Sequence, residues 1–502
     1  MPFAAQAATA ALAQAHPGLA YNPLGRTGLI VSAAGFGCYR VDVEVEEHHT
    51  ALEKALIAGV NFIDTSANYT DGNSERLVGA VLGRLLGAGV IQREQVVVAT
   101  KAGYLQGLNH KLSQERKQEG RPFPDLLELQ PGLEHCIHPE FLADQIDRSL
   151  ERLGLDCLDV LLLHNPEYYL EWAEGQGMPL AQARAEYYRR IGQAFAHLEE
   201  EVARGRIACY GVSSNTFPLP PNSPGFTSLH EVWQQAQALA LGEGHHLRVI
   251  EFPCNLLEPG AVLGRNQPNG QTVLELAAGL GLGVLINRPL NAMAPGQGLL
   301  RLADLEAGAP PSPEQVLEAI SDLRASEEEL IAKLLPQLGM EPSQREQLAG
   351  FLAAAPTLAD HWTELQGLEH WRHLEGEFFL PRIHAAMQFM VRTLGDAPEL
   401  RGVVDNHLAK VGAAFTRVGG VYRAATAREL AGLKALAQAE PDWAQAQTLS
   451  QMALRALRST SGVSSVLVGM RQERYVADVL AELGRPVAQA LRKEAWLRVA
   501  QG

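Results

Sequence analysis

Cysteine is scarce and shows no pairing pattern: Cys38, Cys136, Cys157, Cys209 and Cys254 make an odd five with no C-x-x-C spacing, which argues against a disulfide framework and suits a reducing compartment. Long apolar runs are missing too, since no uncharged stretch reaches the ~18 residues of a membrane-spanning helix. Positive charge is in deficit, 42 basic against 57 acidic side chains for a net −15, so a nucleic acid or an anionic membrane would meet repulsion. The start, MPFAAQAATAALAQAHPGLA, lacks the basic opening of a secretory signal and the arginines of a transit peptide. Residues 1–20 read as a loose lead-in. The expectation is a cytoplasmic protein with no nucleic-acid or membrane partner and an unknown oligomeric state.

What is present is a recurrence of short apolar runs with amphipathic, helix-length stretches between them, the pattern of parallel strands joined by crossover helices. Eight runs qualify: AAGFGC (33–38), NFID (61–64), VVVAT (96–100), LDVLLLH (158–164), CYGVSS (209–214), VIEFPCN (249–255), GVLINRP (283–289) and SVLVGM (465–470). Eight units predict an α/β fold, a closed (β/α)8 TIM barrel, in preference to an open doubly wound sheet. The GLGLG of 279–283 precedes a strand instead of following one, so it is no dinucleotide fingerprint.

Two connections are long. Residues 104–139, polar and proline-punctuated, read as an extended loop within barrel units one to seven (21–300). Residues 301–449 read as a large helical insertion between strands 7 and 8, leaving 450–502 for the last barrel unit and a C-terminal helix. Within the insertion, Ser312-Pro313-x-Gln315 and Ser326-x-x-Glu329 both look like capping boxes at helix starts. The insertion leaves the seventh strand at its active-site end and is expected to act as a lid that narrows substrate choice.

Barrel enzymes gather their chemistry where strands finish. The ends here carry Asp64 with Tyr69 just after it, then Lys101 and His164. Each alone has a plainer role, as a turn cap, a loop tyrosine, a solvated strand end or a core histidine. Four of them at strand ends around one mouth point to proton delivery. A free phenol ionises near pH ~10, and an ammonium ~4 Å away would favour the phenolate by ~4 kcal/mol at an effective dielectric of ~20. Lys101 is expected to acidify Tyr69, Asp64 to anchor Lys101, and His164 to orient a substrate oxygen.

DTSANYTDGNSE, VVVATK, LDVLLLHNPE, GVSSN and INRPL before GQGLL together resemble the aldo-keto reductase family in kind and order, over most of the chain outside the lead-in and the insertion. HNPEYY, HCIHPEF and SSVLVGM are similar to the branch near L-galactose dehydrogenase. The resemblance implies hydride transfer between a nicotinamide cofactor and a carbonyl or sugar, with Asp64, Tyr69, Lys101 and His164 as the catalytic residues and no metal. It implies cofactor contacts from Gly37 and Cys38 at the first strand's end and from Ser213, Ser214 or Asn215 at the nicotinamide carboxamide. Glu251 stands where the family has glutamine, and Asn287 where many relatives have an aromatic ring. Arg288 falls near the pyrophosphate, and Arg471 and Arg474 near a ribose 2′-phosphate, which favours NADP(H) slightly over NAD(H). The expected function is an NAD(P)(H)-dependent oxidoreductase acting on a small carbonyl or sugar substrate. The rival is a nucleotide-binding regulatory or scaffolding barrel with little turnover.

Overall fold

The computed structural model describes residues 2–239, 244–294, 298–395 and 398–501. Eight parallel strands close into a barrel: β1 (Ala34–Gly37), β2 (Phe62–Asp64), β3 (Val97–Ala102), β4 (Leu158–His164), β5 (Ile207–Ser213), β6 (Leu247–Pro253), β7 (Gly283–Asn287) and β8 (Ser465–Val468). Chain order is kept right round, and β8 closes on β1 with Leu467 opposite Gly35. The strands fall on the eight expected runs, and the fold is the (β/α)8 barrel. Crossovers are filled by α1 (Glu46–Ile57), α2 (Asn73–Gly87), α3 (Pro139–Leu153), α4 (Leu180–Ala203), α5 (Leu229–Ala238), α6 (Val273–Gly279) and α7 (Leu449–Arg458), and α8 (Glu473–Leu483) follows β8.

Local sequence explains these elements. Every residue of β4 is buried, as a strand covered on both faces requires, and its sequence is accordingly an apolar run without alternation. Helix α3 buries Phe141, Leu142, Ile146 and Leu153 at helical spacing, starts on Pro139, and stops at Gly154 with φ 63°.

Strand alternation also fixes what the barrel holds. Phe62, Val97, Ala99, Val160, Leu162, Cys209, Val249, Leu285 and Leu467 form one buried cluster with Leu24, Leu29 and Val31; the last three belong to or flank a short hairpin, Tyr21–Pro23 with Ile30–Ser32. Side chains two residues apart on a strand share a face. Counting two on from Phe62, Ala99, Leu162, Val249 and Leu285 gives Asp64, Lys101, His164, Glu251 and Asn287. The polar strand ends therefore form the layer above an apolar plug.

Two readings need correction. The lead-in 1–20 is not loose throughout: Gln6–Ala15 is a helix, its approach pinned by the Ala4 N–H donating to Asp159 Oδ1 at 2.7 Å. Its alanines favour helix once one end is anchored. Residues 104–139 are not an irregular loop but a helix, Gly107–Gln118, and a three-stranded antiparallel sheet of Tyr104–Leu105, Leu133–His135 and Leu127–Gln130. Leu105, Phe123, Cys136 and Phe141 give this excursion its own small core.

The chain forms two compact units, Met1–Leu290 with Ala437–Gly502, and Asn291–Leu436. The second begins with the hairpin Asn291–Ala294 and Gly298–Arg301. Helices Pro313–Leu334, Pro342–Leu352, Ala355–His361, Leu368–His373 and Leu380–Leu394 follow. Its core includes Leu323, Leu330, Leu352, Trp371, Met390 and Phe415. Ser312 and Gln315 make the expected capping box. Ser326 does not: it lies inside Pro313–Leu334, buried, with its hydroxyl 3.0 Å from His407 Nδ1. No helix among the described residues is long and apolar enough to cross a membrane.

Candidate active site

Lys101 sits at the centre of the polar layer, fully buried. Its Nζ donates to Asp64 Oδ1 at 2.5 Å and Oδ2 at 2.6 Å, and lies 3.3 Å from Tyr69 Oη. Tyr69 opens the short helical turn Tyr69–Gly72 after β2, followed by Thr70 and Asp71 with φ of 46° and 56°. Such left-handed backbone at two non-glycine residues costs energy. Thr70 Oγ1 offsets this by donating to Val41 O at 2.8 Å, and Asp71 Oδ1 by accepting from Leu108 N at 2.9 Å.

His164 packs edge-on against the Tyr69 ring, with centroids 5.8 Å apart. Its Nδ1 is 3.0 Å from Ser66 Oγ, and its carbonyl accepts from His135 Nε2 at 2.7 Å. Gly103 makes room for that contact, since a β-carbon there would lie 2.4 Å from His164 O. The four residues read as catalytic are thus brought together.

Burial dominates the electrostatics. It would lower the Lys101 ammonium, but Asp64 and Glu251 more than offset it and hold the group well above its ordinary value. It pushes the Asp64 carboxyl upward, against the pull of Lys101. His164 is driven well below the usual imidazole range by burial, with Lys101 and His135 adding to the effect. Tyr69 departs from expectation. Burial raises its phenol above the ordinary value; Lys101 opposes this, but Asp64 and Glu251 act with burial. Besides the cation and its Asp64 anchor, the site holds a second carboxylate.

Glu251 is that second carboxylate. Its Oε2 lies 3.3 Å from Lys101 Nζ, and its Oε1 accepts from Ser213 Oγ at 3.0 Å and Asn287 Nδ2 at 2.8 Å. Ser213, Glu251 and Asn287, from β5, β6 and β7, therefore form one cluster touching Lys101. Ser214 points away, its hydroxyl engaged by Thr216 and Thr227, as alternation dictates for the neighbour of an inward residue. Asn215 is exposed, and its N–H donates to Glu167 Oε1 at 2.8 Å. Gly37 pairs with Asp64, and Cys38 N donates to Asp64 O at 2.8 Å. Arg288, with φ 50°, donates to Glu258 Oε1 at 3.0 Å. Arg471 is half-buried and Arg474 exposed in and after the turn into α8, and Arg474 lies over the Tyr475 ring. Gly296 and Gln297 of the GQGLL motif lie outside the described residues.

Several site residues escaped the sequence reading. Tyr104 packs against His164 with centroids 4.7 Å apart, and Tyr168 packs in turn against Tyr104 and His135. Tyr39 stands edge-on to Tyr69 at 5.2 Å. Tyr104 donates to Asn165 Oδ1 at 3.2 Å, and Asn165 Nδ2 donates to buried Glu167, whose carboxyl burial pushes up to about 7. Ser66, two residues after Asp64, was the most accessible signal, because a hydroxyl between two proposed catalytic residues has few reasons to be there by chance.

The parallel barrel thus holds buried Asp64, Lys101 and His164 beside Tyr69 at its strand ends. Residues 34–218 match the model of the aldo/keto reductase family. The chain is similar to the NADH-specific methylglyoxal reductase of Escherichia coli (strain K12), 30% identical over 38% of this chain and 51% of the relative. D-threo-aldose 1-dehydrogenase of a Pseudomonas species is 33% identical over 37% and 51%, and L-galactose dehydrogenase of Arabidopsis thaliana 32% over 29% and 38%. The chain spans about half, or less, of the length of these curated relatives.

Proposed function

We propose that the barrel is an NAD(P)(H)-dependent oxidoreductase that interconverts a small aldehyde, ketone or sugar with the corresponding alcohol, with Tyr69 as general acid and base. The observation that carries this reading is Lys101 touching Asp64 and Tyr69 at once, with His164 beside the phenol.

The residues present suit a nicotinamide. Glu251 Oε2 and Asn287 Oδ1 are buried without a hydrogen-bond donor, two acceptors matching the N–H groups of a carboxamide. A reduced nicotinamide held by Ser213, Glu251 and Asn287 would supply a hydride to a carbonyl carbon. Tyr69 gives its hydroxyl proton to the carbonyl oxygen, and Lys101 stabilises the phenolate that remains. Asp64 keeps the ammonium in place. His164 stays neutral, with Ser66 Oγ 3.0 Å from its Nδ1, and orients the substrate oxygen. In the oxidising direction the Tyr69 phenolate takes the proton back.

Arg471 and Arg474 favour NADP(H) over NAD(H), since guanidinium pairs well with a ribose phosphate. The relative named as NADH-specific makes both nucleotides necessary in the test. That test is nucleotide fluorescence against a panel of aldehydes, ketones and aldoses. Consumption of the reduced nucleotide with a panel member is expected; binding without turnover across the panel would leave the barrel without its proposed activity.

A further inference from the structure

Glu251 is 2% exposed, and the groups around it define its state. Ser213 Oγ and Asn287 Nδ2 both donate to Oε1, while the Lys101 ammonium faces Oε2 at 3.3 Å and no hydrogen bond reaches that oxygen. Two donors on one oxygen and a cation opposite the other are the surroundings of an ionised carboxylate. The lysine that touches the phenol is therefore shared between Asp64 on β2 and Glu251 on β6.

We propose that Glu251 is a positioning residue that acts through Lys101 on Tyr69: as a second carboxylate on the lysine it offsets part of the cation's pull on the phenol. This deepens the reading of Tyr69 as the acid and rests on it. The groups facing Tyr69 are Lys101 from β3, Asp64 from β2, Glu251 from β6, His164 from β4, Tyr39 after β1 and, one ring further, Tyr104. With His164 neutral, the charges are one ammonium and two carboxylates. A lysine paired with one carboxylate leaves the phenol beside a neutral pair; adding Glu251 leaves it beside a net negative charge, which opposes the phenolate. Carbonyl reduction, which consumes the phenol proton, then runs across the neutral range without loss of its acid form. Alcohol oxidation, which needs the phenolate, is confined to alkaline pH. The overall equilibrium is untouched; only the pH at which each direction has its competent form moves.

The test uses the full chain with Glu251→Gln, which removes the charge at nearly constant shape, and Glu251→Asp, which keeps the charge but draws it back from Lys101. In the pH profile of alcohol oxidation, Glu251→Gln is expected to move the rising limb toward neutrality by about one pH unit, and Glu251→Asp by less. A fluorinated tyrosine at position 69, whose phenol is intrinsically more acidic, reports the same quantity by fluorine NMR without any nucleotide. Its midpoint should fall in the same order. A midpoint that stays put or rises in both variants overturns the proposal. The fluorine titration keeps its meaning even if Tyr69→Phe retains turnover. That result would refute the catalytic reading instead, so the two failures are distinguishable.

Discussion

Lys101 is the residue on which the polar layer depends, because it is the cation for two buried carboxylates. Replacing it by methionine keeps the volume but leaves Asp64 and Glu251 facing each other without a counter-charge. Such a change costs about 3–5 kcal/mol. The loss should be read in urea unfolding at pH 7 and should shrink toward pH 5, where the carboxylates can take up protons. A Lys101→Met protein as stable as the parent at pH 7 would mean that the carboxylates are not held by this lysine. At this scale the sequence told which residues meet but not how their charges sum. Asp64, Lys101 and His164 were legible because each ends an apolar run, and Tyr69 because it follows one so closely. Glu251 was legible as a position, yet its contact with Lys101 joins β3 to β6 across the barrel, and strand adjacency in the chain carries no trace of that.

At the scale of elements, periodicity was informative wherever both faces of a segment are buried and misleading where a polar segment is held by specific contacts. The eight strands were read correctly because a barrel strand has few polar positions before its end. Gly107–Gln118 was missed because its sequence, GLNHKLSQERKQ, offers little apolar face. What holds it is Lys117 on Glu134 at 2.5 Å and Asn109 paired with Gln145 at 2.8 Å, contacts that only the tertiary fold supplies. Ser326 was misread for the opposite reason, since a buried serine inside a helix looks like a cap. Its neighbour Glu327 does cap a helix, accepting from Ala354 N and Ala355 N at 2.8 and 2.9 Å ahead of Ala355–His361. Burial pushes its carboxyl from 4.5 up to about 7, against the pull of those two N–H groups. The folded state therefore holds this proton more tightly than the unfolded chain, so the associated stability is present below about 4.5 and is lost as pH rises to about 7. Melting temperatures of the parent and of Glu327→Gln, followed from pH 4.5 to 8, should diverge across that window, with the parent losing ground as pH rises. Parallel curves would show that Glu327 titrates as an ordinary exposed glutamate.

At the scale of the whole molecule, the chain divides its material between a barrel unit and a helical unit with separate apolar cores. The expectation of a helical insertion at 301–449 rested on the Ser312 cap and helical stripes; the helical unit itself runs from Asn291 to Leu436, and the hairpin after β7 and the segment leading into α7 carry no compositional mark of the side they belong to. The barrel unit brings Asp64, Tyr69, Lys101 and His164 together from three strands and a turn, and the account as a whole asks one thing of them, that the phenol of Tyr69 moves the proton. The most direct measurement is single-turnover hydride transfer from the reduced nucleotide to a carbonyl, in the parent and in Tyr69→Phe, with nucleotide affinity measured alongside. A rate lower by about 10²- to 10⁴-fold at unchanged affinity is the predicted result. A Tyr69→Phe protein that transfers hydride at close to the parent rate would contradict it.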